Sequence, residues 1–374
     1  MNIINSALRR EERAIFDLRE LYEQSGYRKY KMSKFEEYDL YLANKRFLPG
    51  GQVVTFTDAN GRLMALKPDV TLSIAKNVPT VPTEPEKVYY NENVYRTPRG
   101  ADEFKEIMQV GLECIGSVDL YSEYEVVSLA CRSLQKLSDE NVMALSHMGF
   151  VAGLMGACAL PETLNEKLLR CIGHKNAHEV ARLCREGGVS DENAKKLVSL
   201  TSLCGELNET IAAAEKIADN DKMRAALDEL SALSQVLSDE EKRAIRLDFS
   251  VVNDLAYYNG LIFQGFIGGV PSAILSGGRY DNLMEKLSKR CQAIGFAVYL
   301  NELERCDTDE PDYDVDVLLL YDAGADVAKL AGAVKMLSQN GQRVRVQTVP
   351  SETLRARQTV HLGEGGLEIL ETND

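Results

Sequence analysis

The sequence predicts an α+β chain: an antiparallel sheet flanked by helices, with a helical insertion at about 161–240 and a small C-terminal α/β domain at 313–374. Three observations predict it. The β-rich runs between 52 and 116 come as hairpins and irregular loops, not as βαβ repeats. From 161 the texture changes to Ala, Leu, Glu and Lys with few aromatics, which favours helix. The tail, "VDVLLLYDAGADVAKLAGAVKMLSQNGQRVRVQTV", reads as one β–α–β unit whose first strand is a continuous apolar run, as expected for a strand buried on both faces. The acidic, Pro-containing "DTDEPDYD" reads as a linker, so a first domain covers 1–310.

Each element follows from its local pattern. Leu8, Ala14, Ile15, Leu18, Leu21 and Tyr22 fall at helical spacing, and Gly26 stops that helix. "YRKYKMSKF" alternates and suggests a strand. "QVVTFTDANGRLMALKPDV" places two β-rich runs around Asp58-Ala59-Asn60-Gly61, a hairpin signal. "TLSIAKNV" starts a helix with Asp69 or Thr71 as N-cap. "VYYNENVYR" and "FKEIMQVGLECIG" are strands joined by a loop, and 122–137 is a helix. "VMALSHMGFVAGLMGAC" is a strand and then a helix. "ENAKKLVSLTSLCGELNETIAAAEKIADNDKMRAALDELSALSQVL" holds two or three helices. Strand character returns at "AIRLDFSVVNDLAYYNGLIFQGFI" and "SAILSGGRYDNLM", and a buried helix is expected at "AIGFAVYLNELER".

Composition narrows the function classes. A net charge of −14 opposes bulk affinity for nucleic-acid phosphates, which needs clustered Lys and Arg. The densest basic stretches, Arg28 to Lys34 and Lys286 to Arg290, are short and read as solvated faces. No apolar run reaches membrane-spanning length, and the charged N-terminus lacks a secretory h-region. The eight cysteines form no C-x-x-C pair, which fits free thiols in a cytoplasmic chain rather than a metal or redox site. His174 and His178 sit four apart on an expected helix without the glutamate of a metalloprotease motif, so no metal is expected.

Several short stretches carry possible chemistry. In "LKPDVT", Asp69 and Thr71 follow a strand; they serve either as a helix cap or as receivers of a ligand ammonium. In "IMQVGLECIG", Gln109, Gly111 and Glu113 share one face of a strand. That face is either solvated or the polar floor of a pocket, and a buried Glu113 needs a cationic partner or a ligand. "VYRTPRG" carries Arg96 and Arg99, which either lie in a surface loop or fork onto an anion. "LSGGRYDNL" sets paired glycines before Arg279 and Tyr280, as a turn, a bulge or a close approach to a ligand. "LDFSVVNDLAYYNGLIFQGF" offers Tyr257 and Tyr258 as pocket walls but no cation beside them.

Taken in order, these stretches resemble the catalytic domain of class II aminoacyl-tRNA synthetases, specifically the histidyl-tRNA synthetases, over roughly residues 5–305. "GYRKYKMSKFEE" resembles the family's first motif, with Ser33 at the motif's proline. "VYRTPRG" through "FKEIMQVGLECIG" resembles the second and "IGFAVYLNEL" the third. "LAYYNG" resembles a histidine-specific signature, and "SGGRYDNL" resembles the family's Gly-Gly-Arg-Tyr-Asp-Gly-Leu. The resemblance puts Asp69, Thr71, Gln109, Glu113, Tyr257, Tyr258 and Tyr280 on histidine-contacting positions and Arg96 on an ATP-binding arginine. It also marks losses. Asn253 stands where the family carries a catalytic arginine, Glu302 where an arginine clamps phosphate, and Pro98 where a carboxylate holds the purine.

Two opposite charges 4 Å apart attract by about 4 kcal/mol at an effective dielectric near 20. An Arg-to-Glu change turns that attraction into repulsion, so no catalytic residues and no cofactor are expected. A synthetase-like domain with a histidine pocket and no ATP chemistry is similar to the regulatory subunits of ATP phosphoribosyltransferase. That family implies a short catalytic subunit as partner and a dimer within a hetero-octamer. It implies histidine as effector, feedback inhibition of the first step of histidine biosynthesis, and a six-stranded antiparallel sheet. The alternative is a divergent histidyl-tRNA synthetase, which needs a replacement cation from Arg279 or Arg305.

Overall fold

The computed structural model describes residues 9–44, 53–97, 103–253, 257–304, 313–339, 341–351, 353–363 and 365–373. The chain divides into a larger unit, Arg9–Cys306, and a smaller one containing Asp307–Asp374.

The strands of the larger unit, in chain order, are β1 (Arg28–Lys29), β2 (Phe35–Glu37), β3 (Thr55–Thr57), β4 (Leu63–Leu66), β5 (Glu86–Arg96), β6 (Lys105–Gly116), β7 (Asn141–His147), β8 (Cys204–Gly205), β9 (Ile245–Asp248), β10 (Leu261–Ile267), β11 (Leu275–Arg279) and β12 (Gln292–Tyr299). Nine of them form one sheet in the order β1-β5-β6-β12-β11-β10-β7-β9-β8. Its centre, β5 through β7, is six antiparallel strands, as the resemblance implies. Three short strands extend it: β1 pairs parallel with β5, β9 parallel with β7, and β8 antiparallel with β9. β2, β4 and β3 make a separate small sheet, so "YRKYKMSKF" is not one strand: the chain passes between sheets within it. The β3–β4 loop turns at Gly61, φ +79°, where Asp58 Oδ1 accepts from the Asn60 and Arg62 amides at 2.8 and 2.9 Å.

Register decides which residues share a face. Across β5, β6 and β12 it aligns Val88, Glu113 and Gly295, then Tyr90, Gly111 and Ala297, then Glu92, Gln109 and Tyr299. Residues paired directly across strands point the same way. The alternate residues Val110, Leu112 and Cys114 face the other layer. There they pack with Ala14, Leu18 and Tyr22 of helix Arg10–Gln24 and with Val126, Ala130 and Leu134 of helix Leu120–Leu137. Helix Arg10–Gln24 ends before Gly26, whose φ is +83°.

The 161–240 region is helical: Glu162–Gly173, Ala177–Glu186, Asp191–Ser199, Leu207–Glu215 and Asp221–Val236. Leu168, Val180, Leu197 and Leu230 from these helices join the same core as the sheet's helix-covered face. His174 caps the end of the first helix and His178 lies in the next, so the two do not share one helix. No group of three metal-ligating side chains occurs among the described residues. No described helix is long and apolar enough to cross a membrane.

The smaller unit is a four-stranded sheet, β14-β13-β15-β16, from β13 (Val315–Tyr321), β14 (Val344–Gln347), β15 (Ala356–Gly363) and β16 (Gly366–Thr372). β13 runs parallel to β14 and β15. Val317 and Leu319 pack with Leu330, Val334 and Leu337 of helix Val327–Gln339, while Leu318 and Leu320 are buried on the opposite side. The continuous apolar run is therefore a strand buried on both faces. The antiparallel β15–β16 pair adds to the expected β–α–β unit.

A further expectation is overturned. "AIGFAVYLNELER" is not a buried helix: β12 occupies Gln292–Tyr299, and only Asn301–Glu304 is helical. A short apolar run has no period that separates a buried strand from a buried helix. The deciding feature is Gly295. A Cβ there would meet Glu113 Oε2 at 1.9 Å and the Leu112 carbonyl oxygen at 2.4 Å. Gly295→Ala is therefore expected to lower stability by about 3 kcal/mol, at the upper end of ordinary overpacking costs, in urea unfolding. Adding Glu113→Ala should restore only part of it, because the backbone contact with Leu112 stays.

Candidate functional site

Glu113 lies in the C-terminal half of β6 and is 1% exposed. Among the described residues no cation pairs with it. The Thr71 hydroxyl donates to Oε1 and the Tyr280 hydroxyl to Oε2, each at 2.6 Å. Burial pushes its carboxyl up to about 8, and the two hydroxyl bonds pull against that rise. The carboxylate fits because the paired residue on β12 is glycine. On the other side, the Tyr90 hydroxyl lies over Gly111, where a Cβ would be 2.5 Å from it.

Thr71 is in the first turn of helix Val70–Asn77. Asp69 is the N-cap, accepting from the Leu72 amide at 2.7 Å. The cap role is thus realised, and it aims Thr71 at Glu113. Asp69 is itself partly buried, which raises its carboxyl, while the fields of Arg96 and Lys67 lower it.

The walls are aromatic. Tyr257 and Tyr258 have ring centroids 4.5 Å apart, and Tyr257 lies 5.9 Å from Tyr280. Burial raises all three phenols, so they stay neutral. Gln109, 5% exposed, lies on the same face as Glu113, and its side chain makes no hydrogen bond among the described residues. The Arg96 guanidinium sits 5.9 Å from the Tyr299 ring centroid, and Tyr299 pairs with Gln109. All eight sequence-derived site residues therefore gather on one face of the sheet. Arg99, Asp254, Leu255, Ala256 and Arg305 lie outside the described residues.

Sequence reasoning missed one charge here. Lys67 is fully buried and pairs with Glu92 at 2.9 Å; burial lowers its ammonium pKa and Glu92 opposes that. It stands inside "LKPDVT", and the signal available was a lysine directly after a strand of alternating pattern. Glu302 accepts from the Ser272 hydroxyl at 2.7 Å. Arg279 is no substitute cation for this face. Its side chain is on the opposite face of the sheet, on Glu123 at 2.7 Å and Asp281 at 2.9 Å.

Chemically, the site is a protonatable acid under aromatic walls, with spare amide groups at Gln109. That arrangement suits a planar, hydrogen-bonding ring that can carry a proton. Glu113 also sets a pH dependence. Its folded pKa lies above the unfolded one, so the folded chain holds this proton more tightly. The stability it contributes is complete below about 4.5 and is lost as pH rises through about 8. Urea unfolding from pH 5 to 8 should show Glu113→Gln gaining on the unaltered chain, with a limiting slope of about 1.4 kcal/mol per pH unit. A difference that is flat across this range would mean that Glu113 is ionised throughout.

Curated relatives include ATP phosphoribosyltransferase regulatory subunits from Bacillus thuringiensis (strain Al Hakam) and Bacillus anthracis. Each is 29% identical to this chain over 339 residues, covering 87% of it and 80% of the relative. Among solved structures, a chain described as an ATP phosphoribosyltransferase regulatory subunit/histidyl-tRNA synthetase from Bacillus halodurans matches with a TM-score of 0.75 at 23% identity, covering 94% of this chain and 93% of that one. A histidyl-tRNA synthetase from Nostoc sp. PCC 7120 matches with a TM-score of 0.69 at 16% identity, covering 95% and 88%. At these identities the two structures show the shared fold. The family model described as histidyl-tRNA synthetase matches residues 2–303, and the chain belongs to that family.

Proposed function

We propose that this chain is the non-catalytic regulatory subunit of ATP phosphoribosyltransferase. It binds histidine in the pocket floored by Glu113. It partners a short catalytic subunit, which joins ATP to phosphoribosyl pyrophosphate, is required for that subunit's activity, and carries feedback inhibition by histidine. The working assembly is cytoplasmic, a dimer within a hetero-octamer.

One observation carries the reading: a buried carboxyl held by two hydroxyls beside aromatic walls survives, while Asn253 and Glu302 stand where a synthetase's catalytic and phosphate-clamping arginines would. The naming of the Bacillus relatives supports it. In the pocket the imidazole ring bonds to Glu113 between the tyrosine walls, Gln109 takes a ring or amino hydrogen, and Asp69 with Thr71 faces the ammonium. Arg96 remains as a residual anion contact.

The pH dependence of binding follows. Free imidazole titrates near 6.5, and the empty pocket's Glu113 near 8. Between those values one proton, initially on Glu113, ends in the Glu113–imidazole bond, and none is exchanged with water. Above about 8 the complex must take up a proton; below about 6.5 it must release one. Histidine affinity measured by calorimetry should therefore plateau between them and fall towards tenfold per unit outside. Glu113→Gln should cost about 1.5–3 kcal/mol of binding at pH 7, the worth of a hydrogen bond to a charged group, and flatten both limbs. A bell that survives the substitution would place histidine elsewhere.

The function itself is tested by mixing with a short catalytic subunit. A stable complex in mass photometry, with raised and histidine-suppressible phosphoribosyl transfer, is expected. Histidine-dependent ATP–pyrophosphate exchange at a synthetase-like rate would overturn the reading.

A further inference from the structure

Tyr280 is the residue that joins β11 to helix Asp281–Lys286, and it is bracketed by a clasp on the far side of the sheet. Arg279 pairs with Ile294 on β12, so its side chain leaves from the helix-covered face, whereas Gly278 pairs with Gly295 on the pocket face. The Arg279 guanidinium donates through Nε to Asp281 Oδ2 at 2.9 Å. Asp281 Oδ1 accepts from the Ala293 amide at 3.0 Å, and Asn259 Nδ2 donates to Asp281 Oδ2 at 3.1 Å. The other end of the guanidinium is fixed on Glu123 Oε1 at 2.7 Å, in the first turn of helix Leu120–Leu137. Glu123 is 2% exposed. Behind it stand Glu229, from helix Asp221–Val236, and His147, whose Nε2 is 3.2 Å from Glu229 Oε1.

We propose that Arg279 is a positioning residue: clasped between Glu123 and Asp281, it fixes the turn that aims the Tyr280 hydroxyl at Glu113, and so ties the pocket floor to the helical layer behind the sheet. Arginine is suited to this. Its planar fork can hold two carboxylates at once, which a lysine ammonium on a flexible stem does poorly. Burial and the facing Glu229 carboxylate raise Glu123, while Glu229, against the pull of burial, is lowered by His147 and Glu123. Of the two carboxyls Glu123 is the one that holds its proton more readily, and Arg279 and Asp281 carry opposite charges. On the pocket face, the groups around Glu113 are Thr71, Asp69, Tyr90, Tyr257, Tyr258 and Tyr280.

The relevance to histidine rests on the proposed function, but the clasp can be tested without any ligand. The readout is the titration of Glu113 in the full chain, followed by carboxyl carbon NMR and assigned with Glu113→Gln. Losing the Tyr280 hydroxyl bond removes a donor to the ionised form, so Tyr280→Phe should raise the Glu113 pKa by about 0.5 to 1 unit. Arg279→Lys should raise it similarly, and the double variant should go no further. Glu123→Gln, which keeps its shape, should give a smaller shift of the same sign and keeps the test available if Arg279→Lys does not fold. An unchanged Glu113 titration in both Arg279→Lys and Glu123→Gln overturns the proposal, as do shifts that simply add in the double variant. Histidine calorimetry on the unaltered chain reports separately: no binding there would overturn the ligand reading and leave the clasp result standing.

Discussion

A single uncompensated carboxyl organises this molecule. Burying an acid without a cation is costly, and Glu113 keeps its place because two hydroxyls reach it and because it can hold its proton. Each support comes from a different part of the chain. Thr71 depends on the helix that Asp69 caps, and Tyr280 on the turn between β11 and its following helix. Space comes from β12, through a residue with no side chain. The sheet's register is thus as much a part of the site as the polar groups are.

The sheet separates two tasks. One face carries Glu113, Asp69, the tyrosines Tyr90, Tyr257, Tyr258 and Tyr280, and the cations Lys67 and Arg96. The other carries the apolar core shared with helices Arg10–Gln24 and Leu120–Leu137 and with the 161–240 helices. Charge crosses this division at one place among the residues described above, where consecutive positions 279 and 280 point to opposite faces. Strand alternation makes that crossing automatic.

Much of this was legible in the sequence. The face shared by Gln109, Gly111 and Glu113 follows from a period of two, and the structure confirms it with Gly111 as the gap under Tyr90. Asp69 and Thr71 were left between cap and ligand contact; Asp69 takes the cap and Thr71 turns to Glu113, because adjacent positions at a helix start point in different directions. What failed depended on partners distant in sequence. β12 looked like a helix because its strand neighbours, β6 and β11, are invisible in a local window. Arg279 looked free to serve the pocket because Glu123, 156 residues away, cannot be paired with it from spacing. Lys67 was passed over because a buried lysine is recognised by its environment, and Glu92 lies 25 residues on.

The 279–280 crossing has a consequence for how such a chain diverges. Substitutions in the helical layer are ordinarily the ones a fold tolerates while its pocket is held under selection. Here Glu123 belongs to that layer by position and to the pocket by its effect on Tyr280. Drift at 123 is therefore constrained by the ligand side, and positions 123, 279 and 281 are expected to change together across descendants or not at all. A lineage could in this way lose the aim of Tyr280 at Glu113 through a residue on the opposite face of the sheet.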